Sequence, residues 1–107
     1  MESKDLLRLK HMLDSTDAVL AFSKGKRKES LKKDRLYQSA VLRELEIIGE
    51  AAGRISEKTK KKFPQLPSKV LVGMRNRLIH AYFDVDLDII WTTIREDIPH
   101  FKPNLKK

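Results

Sequence analysis

"QSAVLRELEIIGEAAGRIS", Gln38 to Ser56, decides the fold class. Within it Val41, Leu45, Ile48, Ala52 and Ile55 recur at spacings of four, three, four and three, the pattern of a helix that buries one stripe. Gly49 and Gly53 stand four apart beside Ala51 and Ala52, so one side of this helix carries almost no side-chain bulk. Glycines at that spacing suit membrane helix dimers, but the segment is too polar for lipid. The bare side therefore predicts a close crossing with another helix of the same soluble fold.

Upstream, Leu6, Leu9, Leu13, Thr16 and Leu20 repeat at three, four, three and four, predicting a first helix from Ser3 to Phe22. "SKGKRKES" follows, with Gly25 and continuous charge, and reads as a mobile connection. The second helix is expected from about Asp34 to Lys61, ended by Phe63, Pro64 and Pro67. A third should start at Pro67 or Ser68, where proline suits a first helical position and serine a cap, and reach His80 or Ala81. The fourth should run from Asp86 to about Pro99, burying Leu87, Ile90, Ile94 and Ile98, with Asp86 as its cap and Asp88 favourably placed in its first turn. Helices without any strand pattern predict an all-α fold, an antiparallel bundle of four to five helices, with residues 1–107 as a single domain.

Absence of cysteine excludes disulfides, thiolate catalysis and sulfur-based zinc sites. The longest apolar run, Ala18 to Phe22, is far short of the ~20 residues a membrane span needs, and "MESKDLLRLKHML" is charged where a signal peptide is apolar. The expectation is a soluble cytoplasmic protein with no membrane association. Twenty-three Lys and Arg against fifteen Asp and Glu leave a net charge of +8, which favours polyanions, RNA first among them. Lysine-rich surfaces also serve solubility alone. Lys26, Arg27 and Lys28, at the centre of the densest basic cluster, are the candidate RNA contacts on that ground.

On a wheel of about 100° per residue, Val70, Leu71, Met74, Leu78 and Ala81 fall within one arc, the expected core face of the third helix. Asn76 and His80, four apart, then point away from the core, with Arg75 at the shoulder. Val72, Gly73 and Ile79 flank them on a face the bundle is not expected to cover. A second copy of the chain would cover it, making these three the candidate contacts of a homodimer that brings two His80 side chains together. The alternative is a rotated core face and a His80 that merely ends a helix. In the dimer, one imidazole could take the proton of a ribose 2′-hydroxyl and the other donate to the leaving 5′-oxygen, while arginine stabilises the phosphorane, all without a metal.

"MRNRLIHAYFDVD", Met74 to Asp86, resembles the signature of the HepT-like toxins of the HEPN superfamily, in which Arg, four residues, His, one residue and Tyr recur. Here these are Arg75, His80 and Tyr82. The resemblance extends to Gln38–Ser56 and to "DLDIIWTTIREDIP", Asp86 to Pro99, so that nearly the whole chain is covered. It departs at Ala81, where relatives often have glycine, and at Lys69 and Val70, where many have an aromatic. The resemblance implies a helical homodimer acting as a metal-independent ribonuclease, with Arg75 and His80 catalytic and Asn76 assisting. It also implies a partner, a small nucleotidyltransferase antitoxin of the MntA kind, which transfers AMP from ATP to Tyr82; the toxin itself needs no cofactor. An adenylate there would set bulk and negative charge two residues from His80. A non-catalytic helical partner of a nucleotidyltransferase is the competing function.

Other residues read less distinctively. Arg77 lies near the edge of the core arc, where it either contacts RNA or pairs with an acid of the fourth helix. Tyr82 could also be a core aromatic, although Phe83 suits that position better. Asp84, Asp86 and Asp88 alternate like a calcium loop, but Ile89 stands where that loop needs glycine and Arg95 where it needs glutamate, so no metal site is expected.

Overall fold

The computed structural model describes residues 3–64, 68–80 and 87–99, and the side chains of all of these except 77–80 and 97. Every element among them is helical: α1 (Ser3–Ser23), α2 (Lys28–Lys33), α3 (Arg35–Arg54), α4 (Glu57–Lys62), α5 (Ser68–His80) and α6 (Leu87–Thr92), the last passing into a π-helical turn at Thr93–Asp97. This is the all-α bundle the periodicity predicts, with six helical segments among the described residues. The central helix is α3, against which α1 and α5 both pack. Its Val41, Leu45, Ile48 and Ala52 are fully buried, as their spacing requires.

Two polar ties at opposite ends hold α1 antiparallel to α3. At one end the Ser23 and Tyr37 hydroxyls are 2.6 Å apart. At the other, Asp5 accepts from the Ser56 hydroxyl at 2.5 Å, the Ser56 N–H at 3.2 Å and the Thr59 hydroxyl at 2.6 Å. Asp5 is buried and so are Leu9, Met12, Thr16, Val19 and Ser23, a stripe spaced four, three, four, three and four. The expected stripe is thus turned by about one residue: Leu6 is exposed, Leu13 and Leu20 only half-buried. Reading Asp5 as a surface charge conceals the true stripe, because its burial depends on hydroxyls more than fifty residues away.

Those hydroxyls also explain why the predicted second helix is two. Ile55 takes an extended backbone, and Ser56 caps a new helix by accepting from the Thr59 N–H. Likewise "SKGKRKES" is ordered where it was expected to be mobile. Gly25 turns the chain with φ +75°, a conformation that favours glycine, and α2 then buries Leu31 completely. Asp34 closes α2 through its N–H and opens α3 by accepting from Tyr37 N–H, so one residue serves both ends. Arg95 reaches back to donate to the Lys26 carbonyl at 2.7 Å while its guanidinium covers Trp91 at 4.5 Å.

The last helix follows the predicted apolar set, with Ile90, Ile94 and Ile98 buried and Leu87 packed beside them. Fours in succession drift by about 40° per step on an α-helix. The wider π-helical turn, closed by Ile98 N–H on the Thr93 carbonyl, takes the drift back and returns Ile98 to the core.

Asp5 gives this architecture a pH dependence. The Ser56 hydroxyl, then Thr59, hold its carboxyl below the ordinary value against the opposing effect of burial. A depressed carboxylate contributes stability that is present above its unfolded pKa of about 3.9 and lost as the pH falls through the folded value. Asp5→Ala is therefore expected to lower Tm at pH 7 and to shrink the drop in Tm between about pH 5 and pH 2 relative to wild type. Equal acid limbs in melts of the two proteins would show that Asp5 carries no such stability. Ser56→Ala, which removes the cap of α4, should cost about 1 kcal/mol in urea unfolding.

Candidate functional site

The third predicted helix is present with its expected limits, and the glycine side of α3 is where it crosses. A Cβ on Gly49 would overlap the Arg75 Cβ and lie 2.7 Å from the Leu71 carbonyl oxygen, whereas one on Gly53 would meet only a Val72 methyl at an ordinary 3.4 Å. The closest approach of the two helices is therefore at Gly49. This crossing orients α5, burying Leu71 and Met74 against the core.

Two positions correct the expected wheel. Val70, assigned to the core arc, is 56% exposed. Val72, assigned to an uncovered face, is half-buried against the core beside Gly53. Both follow from the close crossing, which rolls α5 toward α3. Leu78 and Ile79 have side chains outside the described set, and Ala81 lies outside the described residues. Gly73 is half-buried, with open space where a Cβ would stand.

Arg75 is held unusually. Its Cβ and Cγ lie on the bare backbone at Gly49, and its Nε is shielded from solvent without a hydrogen-bond partner. Its Nη1 turns toward the exposed Asn76, 3.4 Å from Oδ1. The stem is thus packed and the fork faces outward, an amphipathic placement suited to a long cationic side chain. Asn76 points away from the core as the wheel predicts. His80 is the last residue of α5, about 40° round the helix from Asn76, and its side chain and that of Arg77 lie outside the described set. Tyr82, Asp84 and Asp86 lie outside the described residues. Among the described residues no group of three carboxylates or imidazoles is placed to hold a metal.

The basic cluster has structural work. Lys28 pairs with Asp88 at 2.8 Å, joined by Lys32 at 3.7 Å, docking α2 on α6. Lys28 holds the Asp88 carboxyl below its ordinary value. Lys26 pairs with Asp34 at 3.4 Å and lies over the Tyr37 ring. Arg27 precedes α2, its side chain exposed. Exposed ion pairs of this kind hold a helix in place for little energy and release their cations readily.

The family model described as Ribonuclease HepT-like matches residues 12–107. The chain belongs to the HepT-like ribonuclease family. It is 38% identical over 95 residues to the protein named "Putative RNase MJ1380" of Methanocaldococcus jannaschii, covering 89% of this chain and 87% of that one. It is 46% identical over 74 residues to "Probable ribonuclease HepT" of Thermococcus cleftensis, covering 69% and 67%. A protein of Caldanaerobacter subterraneus named "Putative RNase TTE0752" is 37% identical over 99 residues, covering 92% and 88%. No solved structure gives a significant match. Arg75, Asn76, His80 and Tyr82 all fall inside the span matched by the HepT-like family model. No helix of the described residues is long and apolar enough to cross a membrane.

Sequence reading overlooked Gly49 as the seat of Arg75; the pairing with Gly53 signalled a crossing, but nothing in the spacing identified which residue would occupy it. The orientation of α5 is checked by stability. Leu71→Ala and Met74→Ala should each cost about 2–5 kcal/mol in urea unfolding, and Val70→Ser less than about 0.5. A large loss for Val70→Ser would restore the core arc predicted from the wheel.

Proposed function

We propose that this protein is a metal-independent endoribonuclease toxin that cuts RNA at a composite site formed where two copies meet, acting in the cytoplasm. The observation that carries the reading is membership of the HepT-like ribonuclease family across residues that include Arg75, His80 and Tyr82 at the spacing of the family signature. Nothing about the outward fork of Arg75 beside Asn76 conflicts with it.

In the proposed reaction His80 of one copy accepts the proton of the ribose 2′-hydroxyl as that oxygen attacks the neighbouring phosphorus. The P–O5′ bond breaks, and the second copy's imidazole gives its proton to the leaving 5′-oxygen. A 2′,3′-cyclic phosphate and a 5′-hydroxyl result. Arg75 carries the charge that builds on the phosphorane oxygens, with Asn76 adding a neutral donor. Gly73 and Ile79 are proposed to contact the second copy, with only the part of Val72 that the core leaves open beside them. Arg27 and Arg77 are proposed to contact the RNA backbone, and Lys26 and Lys28 only after giving up their acidic partners. Regulation is proposed to come from a nucleotidyltransferase antitoxin that moves AMP from ATP onto the Tyr82 hydroxyl, releasing pyrophosphate. The negative charge so placed would repel the RNA backbone.

Incubation with RNA in EDTA tests the reaction. Wild-type protein should cleave, with a bell-shaped dependence on pH near neutrality. His80→Ala should lose about 10²–10⁴-fold and Arg75→Ala about 10²–10³-fold. Retention of wild-type cleavage by His80→Ala would reject the mechanism, and no cleavage by unmodified protein would favour the non-catalytic partner. Mass spectrometry after co-expression with a cognate nucleotidyltransferase should find AMP on Tyr82; an unmodified tyrosine would remove the regulatory half.

A further inference from the structure

We propose that Gly49 is a positioning residue for Arg75: its bare backbone is the seat that fixes the guanidinium at the reaction centre, an inference that rests on the reading of Arg75 as catalytic. Two independent observations meet at this position. First, the space a Cβ would need at Gly49 is filled by the Arg75 Cβ and by the Leu71 carbonyl oxygen, neither of which can swing aside as a flexible side-chain end could. Second, the Arg75 Nε is shielded and unpartnered, so the side chain is packed at its root. No salt bridge to Arg75 is present among the described residues. Packing against glycine thus fixes the root from which the fork reaches out beside Asn76. An acid would fix it as well but would neutralise the charge a phosphorane needs.

Gly53, one turn further along the same crossing, is the control. Alanine there meets only a methyl at an ordinary distance. Both substitutions favour the helix intrinsically to the same extent, so propensity cannot separate them. At Gly49 the added methyl must push α5 outward, and displacement of a catalytic group by about 1 Å can cost on the order of 10²-fold in rate.

The experiment compares Gly49→Ala, Gly53→Ala and Arg75→Ala in RNA cleavage, and follows the Arg75 Nε–H resonance in ¹⁵N-labelled protein. Gly49→Ala is expected to lower kcat by about ten- to a hundredfold with KM little changed and to shift or broaden the Nε–H signal, while Gly53→Ala leaves both as in wild type. In the Arg75→Ala background, Gly49→Ala should cost clearly less than it does in wild type, because α5 is still displaced but no guanidinium is left to misplace. A further loss of equal size would show a purely structural role and overturn the proposal. So would wild-type cleavage by Gly49→Ala when Arg75→Ala is inactive, or an unmoved Nε–H signal. If Gly49→Ala does not fold, the wild-type protein decides. Its Arg75 Nε–H should exchange with water more slowly than that of exposed Arg43, and equal exchange overturns the seat. Wild-type cleavage by Arg75→Ala would instead remove the catalytic reading, leaving the resonance to decide whether Gly49 seats the side chain.

Discussion

Where α3 and α5 cross, a helix backbone with no side chain meets the root of an arginine, and much of the molecule is arranged around that contact. Helices usually pack 8–10 Å apart because side chains stand between them. Gly49 removes that spacer at the one place where the Cβ of Arg75 and the carbonyl of Leu71 approach. Glycine within a helix costs about 1 kcal/mol relative to alanine, and α3 carries two. Burial of Leu71 and Met74 on the same crossing offsets that cost, so the fold tolerates a locally poor helix former in exchange for a close fit.

The remaining elements join this pair through the apolar core and through a few polar ties. A chain with fifteen acids against twenty-three bases uses those acids sparingly. Asp5 gathers Ser56 and Thr59, Asp34 joins α2 to α3, and Asp88 receives Lys28 and Lys32. Each is a carboxylate held below its ordinary pKa by the donors around it. Three acids thereby mark where the short helices α2 and α4 attach to their neighbours. The excess of bases over acids leaves a net charge of +8, the condition that a polyanionic substrate would require.

How much of this was legible depended on how local its cause was. The buried stripe of α3, the limits of α5 and the apolar set of α6 each follow from spacing within one segment, and all three were readable. The break at Ser56 was not, because the hydroxyl that caps α4 is also the ligand of an aspartate in α1, and only tertiary structure brings them together. Val70 and Val72 exchanged roles for the same reason: a wheel gives the angle between residues, while the glycine crossing sets the absolute rotation. Arg75 and Asn76 stand where the sequence placed them, half-buried and exposed. The placement of the His80 side chain, Arg77 and Tyr82 lies outside the described set, so their roles rest on the family signature.

The manner in which Arg75 is held also bears on why an arginine should occupy it. A lysine packed on Gly49 would end in a single ammonium, free to rotate and strongly hydrated. Arginine can lose its Nε to the packed root, at a cost of order 1–3 kcal/mol for an unpaired buried donor, and still present four N–H groups in a rigid plane. Its stem is fixed by packing and no carboxylate among the described residues pairs with it, which leaves its charge for oxygen atoms approaching from the exposed side. A phosphate gains both terminal nitrogens of such a fork at once, and the strain of the unpaired Nε is a fixed cost already met in folding rather than one incurred during reaction.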